Sequence, residues 1–167
     1  VSGYMWSFFI VYSLVIISGD YLLGDDTTEV THRYPVILDI IIYINLPLIG
    51  FLLFITCWMC SSGDPLNFGK TLFTITGHNI IAVRNGMGLL DMIPLILSMG
   101  LVMGAVGTNL GHELTHRKNN PLDMLIGYGF FAINFDCPFP IEHVHGHHKN
   151  VGLEKDPANA RRGERLF

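Results

Sequence analysis

The sequence predicts an all-α integral membrane protein, with about three transmembrane helices and a short re-entrant or interfacial helix between two groups of histidines. Three observations carry this reading. Half of the 167 residues are apolar and only 14% are charged, against about 25% in an ordinary soluble domain. Long runs with almost no charge recur along the chain. Five histidines, His112, His116, His143, His147 and His148, stand at the polar edges of those runs.

The first span covers about 4–23 and carries no charge before Asp20. It is long enough to cross a hydrocarbon core of about 30 Å at about 1.5 Å per residue. A polar linker follows, from Gly24 to Arg33. The second span covers about 34–60, with Asp39 its only charge; the kink expected at Pro47 is tolerable in a membrane helix. Cys57 and Cys60 fall inside this apolar run. They read as lipid- or core-facing thiols, because a redox or zinc pair needs a polar, partly exposed setting. Cys137 stands alone, and nothing implies a disulfide framework. Residues 61–86 are mixed and read as a loop or interfacial segment.

The third span covers about 87–110 and runs on without a turn signal other than Gly111 into His112-Glu113-Leu114-Thr115-His116. Asn119 or Asn120 can cap a new helix with Pro121 in its first turn. The apolar core of that helix, 124–135, is about 18 Å long, short of the roughly 20 residues needed to cross. A re-entrant or surface-lying helix therefore returns His143, His147 and His148 to the side of His112 and His116. Lys and Arg follow both groups of histidines, which places that face in the cytoplasm. The whole chain, 1–167, reads as a single partial membrane domain, truncated at both ends because Val1 already opens within an apolar run. Net charge is −4, which points away from a nucleic-acid partner.

His112 and His116 are four apart, so on a helix they share a face one turn apart. His143 and His147 repeat the spacing, and His148 adds an adjacent nitrogen. Packing alone does not account for five imidazoles between positions 112 and 148 at a membrane boundary, where ionisable groups are expensive and usually functional. Isolated His32 and His78 read as hydrogen-bonded core residues, and His145 lies off the four-residue spacing. Imidazole suits Zn, Cu, Fe and Ni. His-Glu-Leu-Thr-His matches the zinc-protease pattern, but such a site needs one further ligand and a water, not a second tight histidine group. Excess imidazole favours two metal ions, and redox-active iron would use them to activate oxygen.

Asn109-Leu-Gly-His-Glu-Leu-Thr-His-Arg-Lys118 resembles the first histidine box of the membrane alkane hydroxylases, placing it at 112–116. Phe139-Pro-Ile-Glu-His-Val-His-Gly-His-His148 resembles their second, at 143–148, and Asp156-Pro-Ala-Asn-Ala-Arg-Arg-Gly-Glu164 resembles the run that trails it. The linker from Asp20 to Asp26 is similar to an acidic cytoplasmic loop of the same group. The resemblance is to the alkane 1-monooxygenase and xylene monooxygenase group of the membrane desaturase–hydroxylase superfamily. It implies a di-iron hydroxylase domain with two non-haem Fe ions held by His112, His116, His143, His147 and His148, with further ligands downstream of this chain. Glu113 and Glu142 orient imidazoles or act as ligands. It implies oxygen-dependent hydroxylation of a terminal or benzylic methyl group of a hydrocarbon, in a bacterial inner membrane. Electrons would come from NAD(P)H through a separate rubredoxin or ferredoxin and its reductase. His145 and Asp136-Cys137 lean towards the xylene-type branch.

Arg117, Lys118, Lys149 and Lys155 can steer an acidic electron carrier, or simply set orientation and touch headgroups. Phe130, Phe131 and Phe135 can line a substrate route from the bilayer, or contact lipid. Two rivals remain open: a membrane fatty-acid desaturase or lipid hydroxylase, and a metal-binding membrane transporter, which would place its ligands near the midplane.

Overall fold

Helix is the only regular structure among the described residues, as the apolar runs require: a chain in hydrocarbon has no water to satisfy its backbone and must bond to itself. The computed structural model describes residues 2–24, 34–156 and 158–165. The linker 25–33, with His32, and Pro157 of the trailing run lie outside them. The helical runs long and apolar enough to cross a membrane are Trp6–Leu23, Pro35–Met59 and Leu89–His116. The chain divides into two compact units, Val1–Met103 and Gly104–Phe167.

The first unit is built from α1 (Ser2–Leu23), α2 (Pro35–Met59) and α5 (Leu89–Val102), with α1 and α2 both packed on α5. The Trp6 indole N–H donates to the Leu90 carbonyl at 3.1 Å. Asp91, without a role in the sequence, caps α5: its carboxylate accepts from the Gly88 amide at 3.0 Å. An apolar cavity of about 350 Å³ lies among these helices, lined by residues such as Tyr4, Phe8, Leu52, Ile55, Leu95 and Met99. Cys57 and Cys60 are exposed, as lipid-facing thiols would be.

The stretch expected as loop or interfacial holds a 3-10 turn, Pro65–Asn67, and two short helices, α3 (Phe68–Thr76) and α4 (Ile80–Asn85). It is pinned to the end of α2 through Trp58, which is buried. Asp64 accepts the Trp58 indole N–H at 3.0 Å and the first amides of α3, Gly69 at 2.7 Å and Lys70 at 3.2 Å. Burial alone would push the Asp64 carboxyl up, but those three donors and the Lys70 charge hold it below the usual carboxylate range. The Arg84 guanidinium lies 4.3 Å over the Trp58 ring. His78, expected in the core, is exposed; the turn around Gly77 carries it outward.

The second unit contains α6 (Asn109–His116), α7 (Pro121–Ile133), α8 (Phe139–Ile141), a π-helical turn at Glu142–His147, and α9 (His148–Asn150). Asn120 caps α7, accepting from the Leu122 and Asp123 amides, with Pro121 at the first helical position. At 13 residues α7 is short, and it packs against α6. Two glycines allow the close approach. A Cβ on Gly127 would stand 3.0 Å from Thr115 Cγ2 and 3.2 Å from the Gly111 carbonyl, and one on Gly111 would stand 3.0 Å from Phe130 Cβ. Leu114, Thr115, Phe130 and Phe131 are fully buried around this contact. Phe130 and Phe131 are therefore core residues rather than lipid-facing ones; of the three phenylalanines read as a substrate route, only Phe135 is exposed.

The close packing of Gly69 gives a contrast that stability measurements can read. Its Cβ position lies 2.6 Å from Ile81 Cγ1 and 2.7 Å from Trp58 Cζ2, whereas that of Gly100 meets nothing within 4 Å. Gly69→Ala should lower stability by about 1–3 kcal/mol through overpacking. Gly100→Ala, on an open helix face, should be neutral or stabilise by up to about 1 kcal/mol. Thermal unfolding in detergent of both variants checks the pair, and equal effects would contradict the packing.

Candidate metal centre

The two histidine groups meet through three short elements. On α6, the four-residue spacing stacks His112 and His116 on one face, their Nε2 atoms 3.1 Å apart. In the second group the backbone departs from α-helix. Glu142–His147 forms a π-turn, in which residues five apart close the turn. His143 and His148 therefore face each other, Nε2 to Nε2 at 2.9 Å. The α6–α7 packing and the turn at Asn134–Pro138 bring the groups together, with His112 Nε2 and His143 Nε2 2.7 Å apart.

The result is a set of four ring nitrogens, from His112, His116, His143 and His148, all within 4.8 Å of one another. Phe139 supports it: its ring stacks on His143 at 4.9 Å and on buried Phe131 at 4.7 Å. Nothing in the histidine spacing signals Phe139; its place one turn before His143 is the only hint.

These three contacts cannot all be hydrogen bonds at once. A neutral imidazole nitrogen offers either one N–H or one lone pair. The contacts run in a chain, His116–His112–His143–His148, through a single Nε2 of each ring. At most two of the three can be ordinary hydrogen bonds at once. A cation removes the conflict by taking every lone pair. Nitrogens about 2.1 Å from one ion lie about 3.0 Å apart at right angles and about 3.4 Å apart at the tetrahedral angle. The three close contacts, at 2.7–3.1 Å, lie near the right-angle edge, so the residues present fit a metal centre.

The other candidate residues lie around this set. His147 turns aside: its Nδ1 lies 2.9 and 3.1 Å from the two carboxylate oxygens of Asp156, and its ring stacks 5.4 Å from His143. That hydrogen bond holds the Asp156 carboxyl below the usual range, against the upward push of burial. Glu113 points outward, 3.8 Å from Arg117 Nε. Arg117 also lies 3.7 Å from buried Asp123. Glu142 and His145 are exposed.

Residues 90–167 match the family model described as fatty acid desaturase. Among curated proteins, the chain is 36% identical over 91 residues to alkane 1-monooxygenase 2 of Alcanivorax borkumensis, covering 54% of this chain and 23% of that protein. It is 41% identical over 80 residues to alkane 1-monooxygenase 1 of Pseudomonas aeruginosa, covering 48% and 21%. It is 35% identical over 88 residues to alkane 1-monooxygenase of Pseudomonas putida, covering 48% and 20%. The matched region thus spans about a fifth of the length of these relatives. No solved structure matches the chain significantly.

Burial, together with the neighbouring imidazoles, pushes His143 down from the ordinary 6.5 to about 4. It is therefore neutral at pH 7, with its lone pair available. Because the folded value lies below the unfolded one, protonation favours the unfolded chain. The His143 contribution to stability is complete above about pH 6.5 and lost as pH falls towards about 4. An imidazole NMR titration of the metal-free protein should show His143 titrating near 4; a midpoint at 6.5 or above would remove this electrostatic account.

Proposed function

We propose that the chain, whose residues 90–167 match the family model described as fatty acid desaturase, is part of a membrane hydroxylase that uses a non-haem di-iron centre to oxidise a hydrocarbon. The observation that carries this is the set of four convergent Nε2 atoms, whose three close contacts cannot all be hydrogen bonds. In this reading His112, His116, His143 and His148 are iron ligands, joined by His147. Glu113 and Glu142 act at its outer edge. The 167 residues form one part of a single hydroxylase domain.

When bound, the iron pair supplies the oxygen chemistry: one atom of O2 enters a C–H bond as C–OH, and the other leaves as water with two electrons and two protons. The protein residues hold and shield that centre. The Phe131–Phe139–His143 stack fixes one imidazole plane and walls the site with buried aromatic surface. The proposed substrate is an alkane or alkyl-aromatic, hydroxylated at a terminal or benzylic methyl. The names of the relatives support it, and so does the apolar cavity among α1, α2 and α5. Placement of His112 and His116 at the end of the run Leu89–His116 favours a boundary site over ligands along a midplane ion path.

Electrons would come from NAD(P)H through a rubredoxin or ferredoxin-type carrier and its reductase. Arg117 is engaged by Glu113 and Asp123, so Lys118, Lys149 and Lys155, all exposed, are the better docking charges. The Lys and Arg distribution favours a site on the cytoplasmic face, in this reading that of a bacterial inner membrane.

Metal analysis and product analysis test the reading together. The purified full-length protein should hold two irons, and cells expressing the complete gene should convert n-alkanes or xylenes to primary or benzylic alcohols. His112→Ala and His148→Ala should each lower turnover by more than about 100-fold, since even supporting residues of metal ligands cost 10–100-fold. One zinc per chain, or an alkene as product from an acyl chain, would overturn the hydroxylase.

A further inference from the structure

Asp156 is out of place by its surroundings. Residues 151–155 are all exposed, yet the Asp156 side chain, with nothing but that loop to carry it, is buried. A carboxylate withdrawn from water needs partners that repay the lost hydration. Asp156 has two. The Ala158 amide donates to Oδ1 at 3.0 Å, and His147 Nδ1 lies against both oxygens at 2.9 and 3.1 Å.

An ionised carboxylate only accepts. The hydrogen between the two groups therefore sits on His147 Nδ1, and the neutral form of His147 then carries its lone pair on Nε2. The other four box histidines meet one another through Nε2. Asp156 thus puts His147 in the one tautomer that presents the same atom as its neighbours. His147 is also held beside them, its ring 5.4 Å from both His143 and His148. A carboxylate behind an imidazole fixes ring orientation and raises the basicity of the far nitrogen, the arrangement that strengthens histidine as a metal ligand.

We propose that Asp156 is a positioning residue that locks the tautomer and plane of His147, making Nε2 of His147 a fifth donor to the metal centre. The inference rests on the metal-site reading and assigns to the loop after the second histidine group a part in metal binding. The bland alternative is that Asp156 only folds its own loop through the Ala158 amide. The two differ in one respect: a loop-folding role does not depend on His147.

The test is metal affinity in a double-mutant cycle, read by the visible d–d absorption of Co(II) added to the metal-free protein in detergent. Asp156→Asn keeps the shape and an acceptor for Ala158 but removes the charge that fixes His147. It should weaken Co(II) binding about 10–100-fold and alter the d–d spectrum, with helix content unchanged. Asp156→Glu should recover part of the loss. In a His147→Ala background, Asp156→Asn should add little further loss. Equal losses in the two backgrounds would establish loop folding and overturn the proposal, as would wild-type affinity in Asp156→Asn. If the wild-type protein binds no Co(II) or iron at all, the metal-site reading itself fails.

Discussion

The contact between α6 and α7 is the constraint on which the second unit depends. Between helices in lipid there is little hydrophobic driving force, because the tails are as apolar as leucine; association relies on close packing of small residues. Gly111 and Gly127 supply it. Each leaves room for the backbone or the buried side chains of the other helix, with Cβ positions only about 3.0 Å from their neighbours. Leu114, Thr115, Phe130 and Phe131 are buried as a consequence. The helix that follows the first histidine group is thereby folded back along the helix that carries it, and the second group arrives beside the first.

That packing forces together groups that would not choose each other. Four imidazoles converge on one small volume through the same ring atom, and their hydrogen-bonding valence leaves at least one contact unmet. The free energy to hold them there comes from apolar contacts behind them: the Phe131–Phe139–His143 stack and the buried α6–α7 seam. A site held by packing rather than by its own hydrogen bonds is preorganised for a ligand that satisfies the converging lone pairs.

Much of this was legible in the residues. Composition and run length are strong signals for spanning helices, because the bilayer sets both, and the three runs fall where the charge-free stretches lie. The shortness of α7 and the Asn120–Pro121 start were readable for the same reason. So was the pairing of His112 with His116, since α-helical spacing fixes it. Other features were hidden by physics that a linear pattern does not carry. Phe130 and Phe131 look alike to a sequence reader whether they face lipid or another helix, because both surroundings are apolar. Gly111 reads as a possible break, when its use is to admit Phe130 and Phe131. Asp91 is a charge near the start of the third span, and its distance from Gly88 is that of an N-terminal cap, a signal that could have been used. Asp156 belongs to a polar loop, and no periodicity connects it to His147.

The second histidine group shows why spacing alone misassigns roles. On a regular α-helix at about 100° per residue, His143 and His147 would lie about 40° apart and share a face, while His148 would stand about 140° away from His143. The π-turn at Glu142–His147 changes this. Its i→i+5 bonding sets His148 over His143, so this pair, not the four-residue pair, faces the first group. The same turn swings His147 to one side, where its Nδ1 meets a buried carboxylate instead of a neighbouring ring. One irregular turn therefore separates two adjacent histidines into different electrostatic settings. His148 is exposed and lies against other imidazoles; His147 is partly covered and held by charge. Single π-turns are uncommon and gather at functional sites; this one goes with His148, rather than His147, facing His143.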